Sequence, residues 1–470
     1  MAVYNLILNG CPTGKILPVT NKIQGMITEY NSNNAWNVNG ASGQVNNGNN
    51  KANSNVVRCV AASGELYSVL LESFVEAYHD CILNKMSSPQ CCEFRADYEA
   101  RLYDLYLLVI QGVYFPLKSR CFVVTRPLYR EVFAADFQDR IIHHWICLRL
   151  EPLFEKRFTE LGNVSHNCRK GFGTESAVQA LFKDIYDCSN GFTESCWVAK
   201  YDISGFFMSI DKRIAWELLN ELINTHYYGT DKECLLYLTR ITVFHLPQEH
   251  CIKRSPECLW DMIPGNKSLF GNDPFKGMPI GNLPSQLIAN FYLSFFDEFV
   301  LSLGFEYYER YADDFVLLHR DKNFILEAIP LFERFLWDKL KLKLHPDKRY
   351  LQHYTKGIQF VGAVIKMDRI YVGNRTVRNT RQAIRCINKE LEAGNPLSDG
   401  MISRLNSYFG FMRKRKAYAI RRGLAKEFSP LLWNKVYMTN HFFTVKIKMK
   451  YDELFQYRQE TIKNTRRRVA

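Results

Sequence analysis

The sequence holds no run of roughly 18 apolar residues, so no membrane-spanning helix is expected. Its opening stretch, MAVYNLILNGCPTG, has neither a positive n-region nor a long apolar core, which argues against a secretory signal and for a cytoplasmic protein. The 14 cysteines are scattered, without a CxxC pair or a regular spacing, and in a chain of this size they read as reduced thiols and not as a disulfide framework. No internal repeat of the main body is present. His143, His144 and Cys147 could be imagined as zinc ligands, but they lie in the apolar helical run IIHHWICLRLEPLF, where core or surface histidines are the expectation.

What is present is ample hydrophobic content and a surplus of positive charge. The 470 residues can bury one large core or two to three smaller ones, and 47% hydrophobic with 14% aromatic residues argues against disorder over most of the length. A formal net charge of +13 and a pI near 9.0 suggest a polyanionic partner, although charge alone is a weak signal.

Composition breaks near residue 62. Residues 1–62 include NSNNAWNVNGASGQVNNGNNKANSNVVRCV, rich in Asn, Gly and Ser, which cannot offset its ordering entropy by burial and is expected to be disordered or irregular. A helical extension follows over 63–119, where ELYSVLLESFVEAYHDCIL and ADYEARLYDLYLLVIQG place apolar residues at helical spacing. The main body is expected over 120–375. It contains a buried-strand run, CWVAKYDIS, an irregular connection from Gln248 to Lys276, and a turn-rich loop, GMPIGNLPSQ, opening a helix with Ser285 as its cap. It then carries a β-hairpin over FEYYERYADDFVLLHR and a second hairpin over GIQFVGAVIKMDRIYV. Residues 376–470 read as helical and basic, ending KNTRRRVA.

Chemistry is signalled by acidic residues inside apolar strands. Asp202 ends CWVAKYDIS, and Asp313 and Asp314 interrupt YYERYADDFVLL. Burying a carboxylate among Val, Ile, Tyr and Phe is strongly unfavourable unless a cation neutralises it. Hard carboxylate oxygens suit magnesium, which shares its remaining positions with water and substrate phosphates. Two such ions held about 4 Å apart activate a hydroxyl and stabilise a pyrophosphate leaving group.

At these residues the chain resembles the reverse transcriptases, in blocks from about Arg120 to Arg422. KYDISGFFMSID resembles motif A, GMPIGNLPSQLIANFYL motif B, YADD motif C, LHPDK motif D and GIQFVGAVI the primer-grip motif E; REVFAADFQDR and CRKGFGT resemble fingers signatures. The resemblance implies an α+β right-hand polymerase, with fingers, a palm built on an antiparallel sheet and a helical thumb. It implies Asp202 and Asp313 as direct ligands of two Mg2+ ions (Mn2+ a possible substitute), with the Ile203 carbonyl and Asp314 assisting. Phe207 falls at the steric gate against a ribose 2′-hydroxyl. Arg130 and Arg169 fall where the incoming triphosphate is gripped, a task that suits guanidinium geometry. Lys348 is the candidate general acid. Gly277, Ile280, Gly281, Ser285 and Gln286 belong to the template and nucleotide contacts of motif B, and Phe360 and Gly362 to the primer grip. Arg413, Lys414, Arg415 and Lys416, with Arg421 and Arg422, fall in the thumb that clasps the template–primer duplex.

Most reverse transcriptases carry Gln-Gly where this chain has Ile280-Gly281 and close the block with Ser-Pro, not Ser285-Gln286. The form here is similar to the enzymes of diversity-generating retroelements, which copy a template RNA while misincorporating opposite adenine. The Asn-rich start likewise resembles the variable end of the proteins such elements diversify, and reads as a translated template repeat. Partners implied are the template RNA, the RNA–cDNA duplex, dNTPs and a small basic accessory variability protein, in a prokaryotic or phage-infected cell. Other prokaryotic reverse transcriptases, of the phage-defence or retron type, and an inactive RNA-binding polymerase fold are the alternatives. No maturase extension, HNH nuclease or RNase H-like block is recognisable.

Overall fold

The computed structural model describes residues 69–83, 86, 88–125, 128–367 and 369–448. The expectations for the Asn-rich segment 1–62 and for the basic end KNTRRRVA lie outside the described residues. The first strands in chain order are β1 (Ser119–Val124), β2 (Arg130–Ala134), β3 (Trp197–Asp202), β4 (Cys251–Lys253), β5 (Tyr307–Tyr311), β6 (Asp314–His319) and β7 (Tyr350–His353). The architecture is α+β, and the chain forms two compact units from separated stretches. One takes the residues up to Arg169, Asp202–Gly304 and Ala328–Asp347; the other takes Lys170–Tyr201, Phe305–Glu327 and the chain from Lys348.

In the first unit β1 and β2 pair antiparallel, with Cys121 opposite Phe133. Alternation turns Cys121, Val123, Glu131 and Phe133 inward. β4 adds to the other edge of β1 in parallel, so part of the stretch expected to be an irregular connection is a sheet strand. The helix Phe137–Glu160 is capped by Asp136, whose carboxylate accepts from the Gln138 N–H. It packs against the helix Leu283–Ser302, whose apolar residues run nearly all round it, as burial on every side requires. His143 and His144 are buried in the first of these helices, and burial lowers the His143 pKa to about 3, which keeps it a neutral core residue. Among the described residues no helix is long and apolar enough to cross a membrane.

The second unit is built on a four-stranded sheet of order β5-β6-β3-β7, with β5–β6 and β3–β7 antiparallel. The helix Thr174–Cys188 presents Ala177, Val178, Leu181 and Ile185 to a core shared with Val198, Val316 and Leu318. The expected second hairpin is a three-stranded meander: β8 (Ile358–Phe360), β9 (Ala363–Ile365) and β10 (Ile370–Val372) in the order β10-β9-β8. The basic end is not wholly helical either. After helices Asn374–Glu392, Asp399–Arg413, Tyr418–Ala425 and Pro430–Lys435 it forms a hairpin of β11 (Val436–Thr439) and β12 (Thr444–Ile447). Buried Val436 and Val445 of that hairpin join Leu405, Phe409, Met412 and Leu424 in one core, a contact that local helical periodicity does not announce.

One half-buried acid makes this unit pH-sensitive. Asp184, on the helix Thr174–Cys188, meets Glu309 of β5; burial first, and then the hydrogen bond and charge of Glu309, push its pKa up to about 8. Asp187 also raises it and Lys183 opposes. A carboxyl whose folded pKa lies above its unfolded value stabilises fully below the unfolded pKa, and that contribution is lost as pH rises through about 8. Thermal melting between pH 5 and 9 should therefore show declining stability, and Asp184→Asn should flatten that slope and raise the melting temperature at high pH by about 2–4 °C. Parallel pH profiles for the two proteins would refute this origin.

Candidate active site

Tyr311 pairs with Asp314 across β5 and β6, which leaves Ala312 and Asp313 as the two turn residues. Ala312 sits at φ +57°, left-handed backbone that a side chain disfavours by about 1–2 kcal/mol. Arg310, fully buried, holds the turn by donating from its guanidinium to the Ala312 carbonyl at 3.2 Å. The turn thus presents two consecutive carboxylates in a tight, anchored geometry. Lys200, two residues before the end of β3, places its ammonium 3.1 Å from an Asp314 oxygen, with both side chains partly exposed. Lys200 and Asp202 share a face of β3, since alternate residues of a strand do.

Asp202 is half-buried, and its backbone carbonyl accepts from the His345 N–H at 2.8 Å. Ile203 is buried and bridges to Leu344, and the Ser204 N–H donates to the Lys343 carbonyl, so residues past β3 are clamped by the approach to LHPDK. Gly205, at φ +54°, then turns the chain into the short helix Phe206–Ser209. Phe207 is half-buried, and its carbonyl accepts from the Met278 N–H at 2.8 Å, while the Gly277 N–H donates to Ile210 at 2.9 Å. Motifs A and B are therefore stitched together backbone to backbone. Phe207 and Ile280 both pack on a small cluster of Cys121, Phe133, Met208 and Leu269.

The loop that carries Ile280 lies on β2. The Phe133 N–H donates to the Ile280 carbonyl at 2.8 Å, and Gly281, at φ +111°, rests against the Phe133 carbonyl and the Val132 side chain. The following helix starts at Leu283 with Asn282 at its N-cap position, so the expected capping role of Ser285 is corrected: Ser285 is the third helical residue and buried. Gln286 is exposed and accepts from the Cys168 thiol at 3.5 Å. Asn290, one helical turn on, accepts from the Ser165 hydroxyl and donates to the Asn167 carbonyl, fixing this helix to the loop before Arg169.

The cationic candidates divide by exposure. Arg130 is exposed at the start of β2, and Lys348 is exposed after LHPD. Arg169 is buried: it makes a bidentate pair with Glu155 at 2.8–3.0 Å and donates to the Ser165 carbonyl and the Asn163 side chain. Arg413, Lys414 and Lys416 are exposed, whereas the Arg415 side chain is buried and paired with Glu175. That inward turn follows from a break between the helices Asp399–Arg413 and Tyr418–Ala425, which sends successive basic residues to opposite sides. Arg421 is also buried, donating to the Met412 carbonyl at 2.8 Å. Phe360 is fully buried in the core of its unit, and Gly362, at φ +86°, forms with Val361 the tight β8–β9 turn.

Among the described residues no three His, Cys, Asp or Glu side chains are gathered closely enough to ligate one ion. An open magnesium site asks for only one or two protein carboxylates, with waters and substrate phosphates completing the octahedron. The hard-oxygen pair Asp313–Asp314, half-buried at a rigid turn, fits that demand. Sequence reasoning missed Lys200, Arg310 and Glu131. The first two were visible as charges inside otherwise apolar strands, the same signal that exposed the aspartates. Nothing marked Glu131, which is fully buried on β2 and accepts from the Ser268 hydroxyl at 2.7 Å and from the Leu269 N–H.

Residues 127–365 match the family model described as reverse transcriptase (RNA-dependent DNA polymerase). The chain is 24% identical over 307 residues to protein YkfC of Escherichia coli strain K12, covering 58% of this chain and 73% of that protein. It is 22% identical over 408 residues to the group II intron-encoded protein LtrA of Lactococcus lactis subsp. cremoris, covering 71% of this chain and 61% of LtrA. Thus it spans about six tenths of the intron-encoded relative. Among solved structures it is similar to telomerase from Candida albicans in complex with a TWJ fragment of telomeric RNA, with a TM-score of 0.42 and 12% identity over 66% of this chain and 56% of that one. Apo telomerase from Candida tropicalis gives a TM-score of 0.40 at 11% identity over 67% and 60%. The family match takes in just over half of the residues and includes both carboxylate-bearing segments; the chain belongs to the reverse transcriptase family of RNA-dependent DNA polymerases.

Proposed function

We propose that this enzyme copies a template-repeat RNA into cDNA with adenine-directed errors, in the service of retroelement-driven protein diversification. The observation that carries the polymerase chemistry is the anchored Ala312–Asp313 turn, with Asp314 held by Lys200 of the neighbouring strand that ends in Asp202. Asp202 and Asp313 are assigned as the metal ligands, assisted by the Ile203 carbonyl and Asp314. Two magnesium ions, when bound there, supply Lewis acidity toward the primer 3′-hydroxyl and the triphosphate. The primer 3′-hydroxyl gives its proton to water, its oxygen bonds to the α-phosphorus, the bond from that phosphorus to the bridging oxygen breaks, and pyrophosphate leaves. Lys348 donates the proton that the leaving group takes up. Arg130 grips the triphosphate, Phe207 excludes the 2′-hydroxyl, and Gln286 contacts the substrate or template. Arg169, saturated by Glu155, supports the loop beside Gln286. Exposed Arg413, Lys414 and Lys416 take the duplex backbone, so binding weakens steeply with salt.

The subtype rests on Ile280. An apolar side chain, packed on the Phe133–Leu269 cluster, stands where the wider family offers an amide near the templating base. Restoring a polar edge with Ile280→Gln should lower misincorporation opposite adenine severalfold, since one base-edge hydrogen bond discriminates by about 1–3 kcal/mol. An unchanged error spectrum would remove that link. The decisive assay is extension on an RNA template by the purified chain, with and without a small basic accessory protein, followed by cDNA sequencing. Adenine-specific errors support the diversity-generating reading; faithful cDNA favours a retron or phage-defence enzyme. We also assign residues 1–62 as a translated template repeat, 63–119 as a helical extension, 120–375 as fingers and palm, and 376–470 as thumb and tail.

A further inference from the structure

The stretch 251–276 is more than a connection. β4 lies on β1, the Val123 N–H donates to the Ser255 hydroxyl at 2.8 Å, and the Arg254 N–H donates to the Cys121 carbonyl at 2.8 Å. Lys253 places its ammonium 4.8 Å from the Trp260 ring and 4.4 Å from the Phe270 ring. All of this wraps a carboxylate that has no access to water. Glu131 is fully buried, and burial raises its pKa while the Leu269 N–H, the Ser268 hydroxyl and the charge of Lys253 hold it down. Ser268 in turn accepts from the Phe270 N–H at 3.1 Å.

What Glu131 fixes is the position of Leu269. With its N–H held, Leu269 drives its side chain against Gly277 so closely that a Cβ there would lie 2.6 Å from Cδ2. Leu269 also packs on Met208, whose carbonyl accepts from the Asn272 side chain at 2.9 Å. Gly277 and Met278 are the residues whose N–H groups clasp the backbone of Ile210 and Phe207. A continuous physical path therefore runs from the strand that begins with Arg130, through one buried carboxylate, to the backbone that aims the Phe207 ring.

We propose that Glu131, acting through Ser268 and Leu269, is a positioning residue for sugar discrimination: it sets where the Phe207 ring stands beside the incoming nucleotide. This inference rests on the gate reading of Phe207. Glu131 touches no substrate. Its removal shifts the ring by fractions of an ångström, and selectivity fails before synthesis does.

The test compares dNTP with rNTP incorporation by the full chain, as kcat and KM for each, in Glu131→Ala, Ser268→Ala, Leu269→Ala, Glu131→Gln and Phe207→Ala. The first three should narrow the dNTP preference about tenfold, chiefly through KM, with kcat for dNTP changed by less than about threefold. Glu131→Gln, which keeps an acceptor for the Leu269 N–H, should restore the preference to within about twofold. Should Glu131→Ala fail to fold, Leu269→Ala, which keeps both hydrogen bonds to Glu131, and Ser268→Ala, which keeps the one from the Leu269 N–H, carry the same expectation. If Phe207→Ala leaves sugar selection intact, the gate reading itself is wrong. If Phe207→Ala relaxes selection while folded Ser268→Ala and Leu269→Ala retain it, the positioning role is overturned and the gate stands.

Discussion

Asp313→Asn should abolish primer extension, lowering the rate at least about a thousandfold, or ~4 kcal/mol in barrier, while RNA affinity at fixed salt stays within about twofold. The separation of these two effects is the point. Asn is isosteric and well suited to a tight turn, so the β5–β6 hairpin keeps its shape. What disappears is one unit of negative charge at the position proposed to hold a divalent cation. The partner substitution Asp314→Asn should differ in kind, because it strips Lys200 of its counter-charge and so also loosens the turn from β3. Extension and filter binding on the same preparations decide the matter; Asp313→Asn that keeps more than about a tenth of wild-type extension would sink the assignment.

Gly281→Ala should be the next most damaging change, reducing extension by roughly a hundredfold. Two penalties coincide there. The backbone is at φ +111°, a region open in practice only to glycine, and a methyl group would sit 2.7 Å from both the Phe133 carbonyl oxygen and Val132 Cγ1. Since the strand cannot yield, the loop bearing Ile280 must lift away from β2, breaking the Phe133–Ile280 hydrogen bond. Gly271→Ala is the informative control: at φ +78° it too is left-handed, but nothing lies within 4 Å of the added carbon. Its effect should be limited to about 1 kcal/mol of local strain. Equal losses in both variants would mean that backbone conformation, and not close approach to β2, makes Gly281 necessary.

Much of this was readable from the residues, and the pattern of success has a physical cause. The acidic hairpin was visible because YYERYADDFVLL places charge where alternation demands apolar side chains, and the motif B helix because its hydrophobic run is long. β4 was not visible: its three residues are too short to show a period, and parallel pairing with β1 leaves no local trace. Glu131 beside Arg130 looks like an ordinary surface pair; only the distant arrival of Ser268 and Leu269 makes it an anchor. Arginine is ambiguous in the same way. Nothing local separates Arg169 and Arg415, which found carboxylates inside, from Arg130 and Arg413, which stayed exposed.

The two units are threaded through each other along the chain, and this governs how the protein can be made. The first cannot close until Ala328–Asp347 has been synthesised, by which time Lys170–Tyr201 and Phe305–Glu327 of the second are already waiting for β7. β1 likewise waits for β4, with Ser255 reaching Val123 across 132 residues. Contacts this distant are slow to form and leave sheet edges open meanwhile. Nascent chains should therefore depend on chaperones until late in translation, and a protease cut at any of the crossings would ruin both halves together instead of liberating either.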